Sequence, residues 1–458
     1  MTDAVVAGRI QFAFTVMFHY LFPILTMGLA PLIVGLKTLH LIRRDETCAA
    51  AARFWTRIFA LNFAIGVVTG IPMEFQFGTN WAVFSAFAGG VIGQTLALEG
   101  MFAFFLESSF LGVLLFGEGR VRPGVHWLSA VLVAAGALLS GLFITATNAW
   151  MQHPVGYRVA PDGTVQMGSF WALLGNPFLW WQYAHVINGA ILTAAIVMAS
   201  IGAYYLLAGK HLAFGRLSVA LGVGVGAFFA LTQLFPTGDM DSRNVTAYQP
   251  VKLATMEGLF ETRYGAPLAI IGMPSTGQRR LLDPIVVPDA LSYLAYGSFR
   301  AEVKGLNAYP QDLWPPVQLP YYAYHIMVGL GTIFIAVLLL GAFLWWRRAL
   351  FTSRWFLWVL MLLLPFPYIA NEAGWVVTEV GRQPWLVYGL LRTAAGSSPT
   401  VAAGETIFTL LGFAGMYALL GVLSLFLVLL LILKGPEEPT PAVASDPRAG
   451  AAAPRRRS

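Results

Sequence analysis

The sequence predicts an all-α integral membrane protein, a bundle of about nine transmembrane helices with one long extracytoplasmic loop. Three observations predict it. Hydrophobic residues make up 57% of the 458-residue chain and charged residues only 11%, against roughly a quarter charged in a soluble domain. So little charge leaves the surface to be covered by lipid. Runs of about 20 apolar residues, the length that crosses a bilayer core, recur along the whole chain. Basic residues cluster in alternate connections between those runs, as cytoplasmic loops do.

The candidate spans are 13–36, 57–77, 92–116, 125–147, 178–207, 217–236, 319–345, 355–379 and 405–433. The connection after the first holds Lys37, Arg43, Arg44, Arg53 and Arg57. Later connections of the same parity hold Arg120 with Arg122, Lys210 with Arg216, and Arg347, Arg348 and Arg354, whereas the alternate ones are poor in basic residues. This places the N-terminus outside and the C-terminus in the cytoplasm. Met1–Ala7 carries no positive n-region and no small-residue cleavage site follows, so the first apolar run reads as a span, not a cleaved signal.

The net charge of +6 would suggest nucleic-acid binding in a soluble protein. Here it belongs to the loops and tail, and no nucleic-acid partner is expected. Cys48 is the single cysteine, which excludes intrachain disulfides, iron–sulfur clusters and thiolate zinc sites.

The domain organisation follows from the one break in the short-loop pattern. Residues 1–236 hold six spans, 237–318 form an extracytoplasmic loop, 319–434 hold three more spans, and 435–458 read as a disordered cytoplasmic tail rich in Pro, Ala and charge. A connection of about 80 residues is usually functional or disordered. Leu259, Phe260, Tyr264, Ile270, Ile271, Leu291 and Tyr293 favour a folded cap. No inverted repeat of the kind common in transporters is visible.

Ionisable residues inside spans cost roughly 2.5–3.5 kcal/mol each, so each calls for a reason. Hydropathy and orientation put His19, His185, Met327 and Glu379 at similar depth near the outer side, on four different spans. Imidazole and thioether are axial ligands of haem iron, and a His/Met pair makes a closed electron-transfer site. Taken singly, a membrane His serves equally as a helix-packing hydrogen-bonder and a Met as packing. Glu99 and Glu107 lie on one span about 80° and 12 Å apart, with Ser108 extending a polar track of the kind that carries protons or ions. Trp375 and Glu379 share a helix face, and Glu379 and Arg382 can pair at i,i+3; Arg382 at a boundary suits propionate or phosphate. Lys252 and Glu257, five apart, do not face each other on a regular helix.

Taken together, GRIQFAFTVMFHYLF, LALEGMFAFFLES, WWQYAHVINGA, QPVKLATMEG, YHIMVGLG and GWVVTEVGRQPW resemble subunit I of the cytochrome bd quinol oxidase family over nearly the whole chain. The resemblance implies that His185 and Met327 ligate a low-spin haem b. It implies that His19 and Glu379 are axial ligands of a high-spin haem b and a haem d, or a haem b in its place, with Glu99 close to one iron. Glu107 and Ser108 would deliver cytoplasmic protons, Lys252 and Glu257 would form the quinol site, and Arg9, Asn148, Trp375 and Arg382 would lie near the haem cluster. Expected partners are a second multi-span subunit (subunit II), a very small third subunit in some members, membrane quinol, oxygen and the bilayer.

The function so implied is a terminal respiratory oxidase that oxidises ubiquinol or menaquinol and reduces oxygen to water, with proton uptake from the cytoplasm and no pump. Two departures stand out. His325 occupies a position where members often have Arg, and the loop is short, as in the branch that includes cyanide-insensitive oxidases. The rival from the residues alone is an ion-coupled secondary transporter using Glu99 and Glu107. That rival leaves the four candidate ligands at one depth unexplained.

Overall fold

A computed structural model describes residues 3–437; most of the expected tail, residues 438–458, lies outside the described residues. Among these, nine helices are long and apolar enough to cross a membrane. They are α1 (Asp3–Arg43), α2 (Glu46–Thr79), α3 (Ala82–Phe116), α4 (Pro123–Gln152), α5 (Pro177–Ala208) and α6 (Leu212–Tyr248). After an intervening cap come α8 (Gln318–Trp346), α9 (Arg354–Val380) and α10 (Ala403–Lys434). The cap contains α7 (Pro250–Met256) and a hairpin of β1 (Leu268–Ser275) and β2 (Arg280–Val287).

The helices overrun the apolar windows from which they were expected. At about 1.5 Å per residue, the 41 residues of α1 span about 60 Å, twice the hydrocarbon core of about 30 Å. The third helix starts at Ala82, so the connection expected at 78–91 shrinks to Asn80 and Trp81. The sixth span does not end at 236. At Phe235 the backbone leaves helical geometry (φ −140°, ψ 123°) and Pro236 offers no N–H, yet the helix resumes and runs to Tyr248. The expected boundary at 236/237 therefore falls inside a helix.

Helix α5 is the axis of the bundle, and small residues let two neighbours approach its backbone closely. A Cβ on Gly28 of α1 would meet the carbonyl of Ala190, and one on Gly222 of α6 would lie 2.4 Å from the Ala195 oxygen. The start of α5 is fixed by Asn176, whose side-chain oxygen accepts from Phe178 N at 3.0 Å ahead of Pro177, a cap and first-turn proline in their preferred places. Asn176 Nδ2 also donates to Ala149 O and His153 O, tying the end of α4 to the start of α5.

Residues 249–317 fold onto the end of the bundle that carries the N-terminus. Leu259, Phe260 and Leu291 are buried as a folded cap requires, whereas Tyr264, Ile270, Ile271 and Tyr293 remain exposed. Buried Ala254, Phe260, Leu306 and Val317 make a small core within the cap, and Leu253, Met256 and Leu259 join the main core beneath it.

Candidate functional site

Helices α1 to α4 and α9 enclose a cavity of about 840 Å³, within the range of roughly 300–1,000 Å³ for cofactor and ligand sites. Its wall includes His19, Glu99, Glu107 and Glu379, and also Arg9, Asn148, Trp375 and Arg382. Eight residues singled out in the sequence thus meet around one space. Ser108 does not join them; its hydroxyl turns back to Phe105 O at 3.4 Å. His185 and Met327 lie elsewhere.

His19 presents a defined lone pair. The Thr69 hydroxyl donates its one proton to its own helix, at Ile65 O or Gly66 O. It therefore accepts from His19 Nδ1, 3.1 Å away. When the Thr69 proton is spent on its own helix, the ring proton sits on Nδ1 and Nε2 is left as the electron-pair donor. Gly70 makes room for this ring: a Cβ there would lie 3.0 Å from His19 Cε1.

His185 repeats the device on another helix pair. Thr237 Oγ1 donates to Thr232 O or Gln233 O and lies 3.3 Å from His185 Nδ1, leaving Nε2 to face the Gln233 amide at 3.1 Å. One turn along, Gly189 faces the Asn371 side chain on α9. Three residues beyond Asn371, a Cβ on Gly374 would lie 3.1 Å from Met327 Sδ. One face of α9 therefore meets both the His185 helix and the Met327 helix.

Glu379 closes the cavity toward the cap. Its Oε1 accepts from Asn148 Nδ2 at 2.5 Å, and its Oε2 from Arg382 Nη2 at 2.5 Å. The other two nitrogens of Arg382, Nε and Nη1, are buried with no partner among the described residues. Behind Asn148 the network continues: its Oδ1 accepts from Gln182 Nε2 at 2.8 Å and Gln152 Nε2 at 3.4 Å. Gln152 Oε1 in turn accepts from Lys252 Nζ at 2.9 Å. A polar run thus links Lys252 in the cap to Glu379 at the cavity.

Lys252 and Glu257 are 3% and 4% exposed, too little for solvated loop charges. Burial lowers the Lys252 ammonium to about 7, with the Arg382 charge pushing the same way and Glu379 and Asp241 opposing. Burial raises the Glu257 carboxyl to about 8, partly offset by a hydrogen bond from Tyr324. Lys252 packs on Gly381, beside Arg382, and Glu257 lies by α8, so the two side chains point to different partners.

Between Glu99 and Phe104, α3 makes a wider π turn, a feature frequent at functional sites. It changes the angular offset expected for a regular helix, and both Glu99 and Glu107 reach the cavity. Ser140 Oγ donates to Glu99 Oε1 at 2.8 Å. Glu107 is buried against α4, where a Cβ on Gly136 would lie 2.8 Å from its Cβ and its backbone nitrogen.

Sequence reasoning missed two further cavity carboxyls, Glu74 on α2 and Glu372 on α9. Both oxygens of Glu372 are buried without a partner among the described residues. Each is an ionisable residue inside a span, the signal that singled out Glu99 and Glu107. Thr69, Thr237, Gln152, Gln182 and Gln233 left no comparable signal.

The donors present fit an iron porphyrin: an imidazole with a fixed free Nε2, carboxylates across a largely apolar cavity, and a buried guanidinium with two unused donors. Fold and site together define a multi-pass membrane redox subunit. Residues 7–436 match the family described as cytochrome bd terminal oxidase subunit I. The chain belongs to that family, and with it come haem cofactors and a second subunit. It is 40% identical over 448 residues to cytochrome bd ubiquinol oxidase subunit 1 of Bacillus subtilis (strain 168), covering 95% of each chain. It is 32% identical to cytochrome bd-II ubiquinol oxidase subunit 1 of Escherichia coli (strain K12), covering 93% of this chain and 96% of that protein. A solved bd oxidase structure from Geobacillus thermodenitrificans superposes with a TM-score of 0.87 at 31% identity, over 95% of this chain and 99% of that one.

Proposed function

We propose that this subunit oxidises membrane quinol and reduces oxygen to water, taking the oxygen's protons from the cytoplasm without a pump. The observation that carries the reading is the hydrogen-bonded run from Lys252 through Gln152 and Asn148 to Glu379, which joins the buried lysine of the cap to the carboxylate-lined cavity.

His19 and Glu379 would hold two of the haems, a high-spin haem b and a haem d or a second haem b. His185 and Met327 would hold a low-spin haem b. When bound, the haems supply electron transfer and the site of oxygen reduction. The rest of the chemistry falls to the chain. Arg382 offers its two free donors to propionates, with Arg9 and Trp375 on the same wall. Glu99, held by Ser140, and Glu107 keep protons available along α3. Ser108, turned away from these carboxyls toward Phe105 O, would join the path only where a partner subunit completes it.

In the cap, Lys252 with a pKa of about 7 donates a hydrogen bond to a quinol oxygen, and Glu257 with one of about 8 accepts a quinol proton. With the N-terminus outside the bacterial inner membrane, protons released at Glu257 leave outside while Glu107 draws from the cytoplasm. Charge is then separated by the placement of the two sites alone. Subunit II, and in some members a very small third subunit, would cover part of the exposed apolar surface beside α3 and α10, and lipid the rest.

The test is a heterodimer purified with ample haem. A reduced-minus-oxidised spectrum carrying haem b bands, together with oxygen uptake driven by ubiquinol or menaquinol, supports the reading. A colourless preparation, or one coloured but inert to both quinols, overturns it.

A further inference from the structure

His325 stands two residues before Met327 and is not used by the reading above. Its ring joins two parts of the structure, the cap hairpin and α8. Nε2 lies 3.0 Å from the carbonyl oxygen of Ala269 in β1 of the cap hairpin, and Nδ1 lies 2.8 Å from Tyr321 O in its own helix. The ring also stacks on Tyr321, with centroids 4.1 Å apart and planes at 35°. Both carbonyl oxygens only accept, so the contact with Ala269 is a hydrogen bond in the ring form that carries a proton on Nε2.

Beyond its own ladder the hairpin has few other anchors: Arg279 at its turn donates to Gln311 Oε1 at 3.4 Å and lies over the Trp314 ring, and Leu268 packs against the main core. Of β1, only Ala269, Gly272 and Pro274 are buried, while Ile270, Ile271 and Met273 face outward. Its inner contact is at the candidate quinol site: Leu281 of β2 and the Tyr321 ring both close on Gly258, where an added Cβ would lie 3.1 and 3.0 Å from them. Gly258 follows Glu257 directly and has φ +62°. Tyr324, which hydrogen-bonds Glu257, is the neighbour of His325 in α8.

We propose that His325 is a positioning residue for the quinol site: it fixes the β1–β2 hairpin on α8 through Ala269, so that Leu281 and Tyr321 form a closed wall over Gly258 and Glu257. This rests on the assignment of quinol to Lys252 and Glu257. Because His325 touches the backbone of the hairpin and not the reacting groups, its loss acts on how quinol is held. The chemical step, at saturating quinol, is unchanged.

The experiment uses the intact heterodimer, with H325A, H325Q and H325R beside wild type. H325A raises the KM for quinol about five-fold, the scale of one lost neutral hydrogen bond, with kcat and the low-spin haem spectrum kept. H325Q and H325R, which bring donors to the same carbonyl, recover most of the KM. Independently of turnover, limited trypsin digestion at the exposed hairpin-turn residues Arg279 and Arg280 is faster in H325A than in wild type.

A wild-type complex that oxidises quinol, with H325A matching it in both KM and cleavage rate, overturns the role of His325. A wild-type complex that does not oxidise quinol overturns the underlying assignment; the cleavage rates then still report whether His325 holds the hairpin. A loss of kcat and of the low-spin spectrum in H325A and H325R alike, with KM unchanged, also overturns the proposal and assigns His325 to the Met327 helix alone.

Discussion

The amide of Asn148 on α4 donates to Glu379 on α9 at 2.5 Å, and that single bond joins two stretches of polar structure far apart in sequence. On one side of it stands Arg382, which takes the other carboxylate oxygen. On the other stand Gln152 and Gln182, whose amides donate to the Asn148 oxygen. Asn148 therefore sets the orientation of Glu379 on the cavity wall.

Asn148→Leu removes a hydrogen bond to a charged group, a loss of about 1.5–3 kcal/mol, and leaves the Gln182 amide short of an acceptor, while Gln152 keeps Thr378 O at 3.2 Å. The expected outcome is a heterodimer with less haem per protein, measured on an alkaline pyridine extract. Asn148→Asp fares worse, because it sets a second carboxylate against Glu379. Full haem content in both variants would show that Glu379 needs no support from α4.

Thr69 and Thr237 give the second prediction. Each hydroxyl spends its proton on its own helix and accepts from the Nδ1 of a candidate haem ligand, His19 or His185. Outer-shell partners of this kind are typically worth 10- to 100-fold in metal affinity. Thr69→Val should weaken retention of the cavity haem on dilution in detergent by about that factor, with Thr69→Ser restoring it. Thr237→Val should do the same to the low-spin haem. The two losses are separable because the His19 and His185 sites lie in different parts of the bundle.

How far the sequence carried the argument varies with the physics of each feature. The nine spans were legible because lipid demands long apolar runs, and nothing else in a chain of this composition produces them. Their ends were not. Once a helix leaves the bilayer it takes polar residues freely, as Asp239, Asp241 and Arg243 do beyond Pro236. Glu74 and Glu372 were visible as charges inside spans, yet nothing local marked them as facing the same cavity as Glu99. Gln152 and Gln182 left no trace, since an uncharged amide at a helix end is unremarkable until its partners arrive from other helices. The grouping of His19 with Glu379, and of His185 with Met327, came from the family resemblance; depth alone put all four in one layer.

The buried carboxyl of Glu257, as the proposed proton acceptor, is expected to set the pH dependence of quinol oxidation. Burial holds its pKa near 8 against an ordinary value of 4.5, so it is neutral at pH 6 to 7 and becomes a base only as pH passes through about 8. With Glu257 as proton acceptor, kcat/KM for quinol should rise through about pH 8, and Glu257→Gln should be slow and lack that rise, keeping only the dependence that Lys252 contributes near 7. Stability runs the other way. A pKa raised on folding adds stability that is complete below about 4.5 and is lost as pH rises through about 8. Glu257→Gln should therefore narrow the gap in unfolding temperature between pH 6 and pH 9.

Glu107 is the last test, and Gly136 supplies its control. The proposed inward path runs along α3, where Glu107 lies deeper than Glu99 and is pressed against α4. Glu107→Leu should cut oxygen reduction on the order of 100-fold, the lower end of what a positioned proton donor contributes, while quinol still reduces the low-spin haem at its normal rate. Gly136→Ala leaves the carboxyl in the chain but drives a Cβ to within 2.8 Å of Glu107's own Cβ and backbone nitrogen, and 2.9 Å of Ala103 O. Backbone cannot yield as a flexible side chain does, so α3 and α4 must part and carry Glu107 off its line. Gly136→Ala should then reproduce the oxygen-side defect in part, seen by stopped-flow reoxidation of the reduced enzyme. Normal reoxidation in Glu107→Leu would take this residue out of the proton path, whatever Gly136→Ala shows.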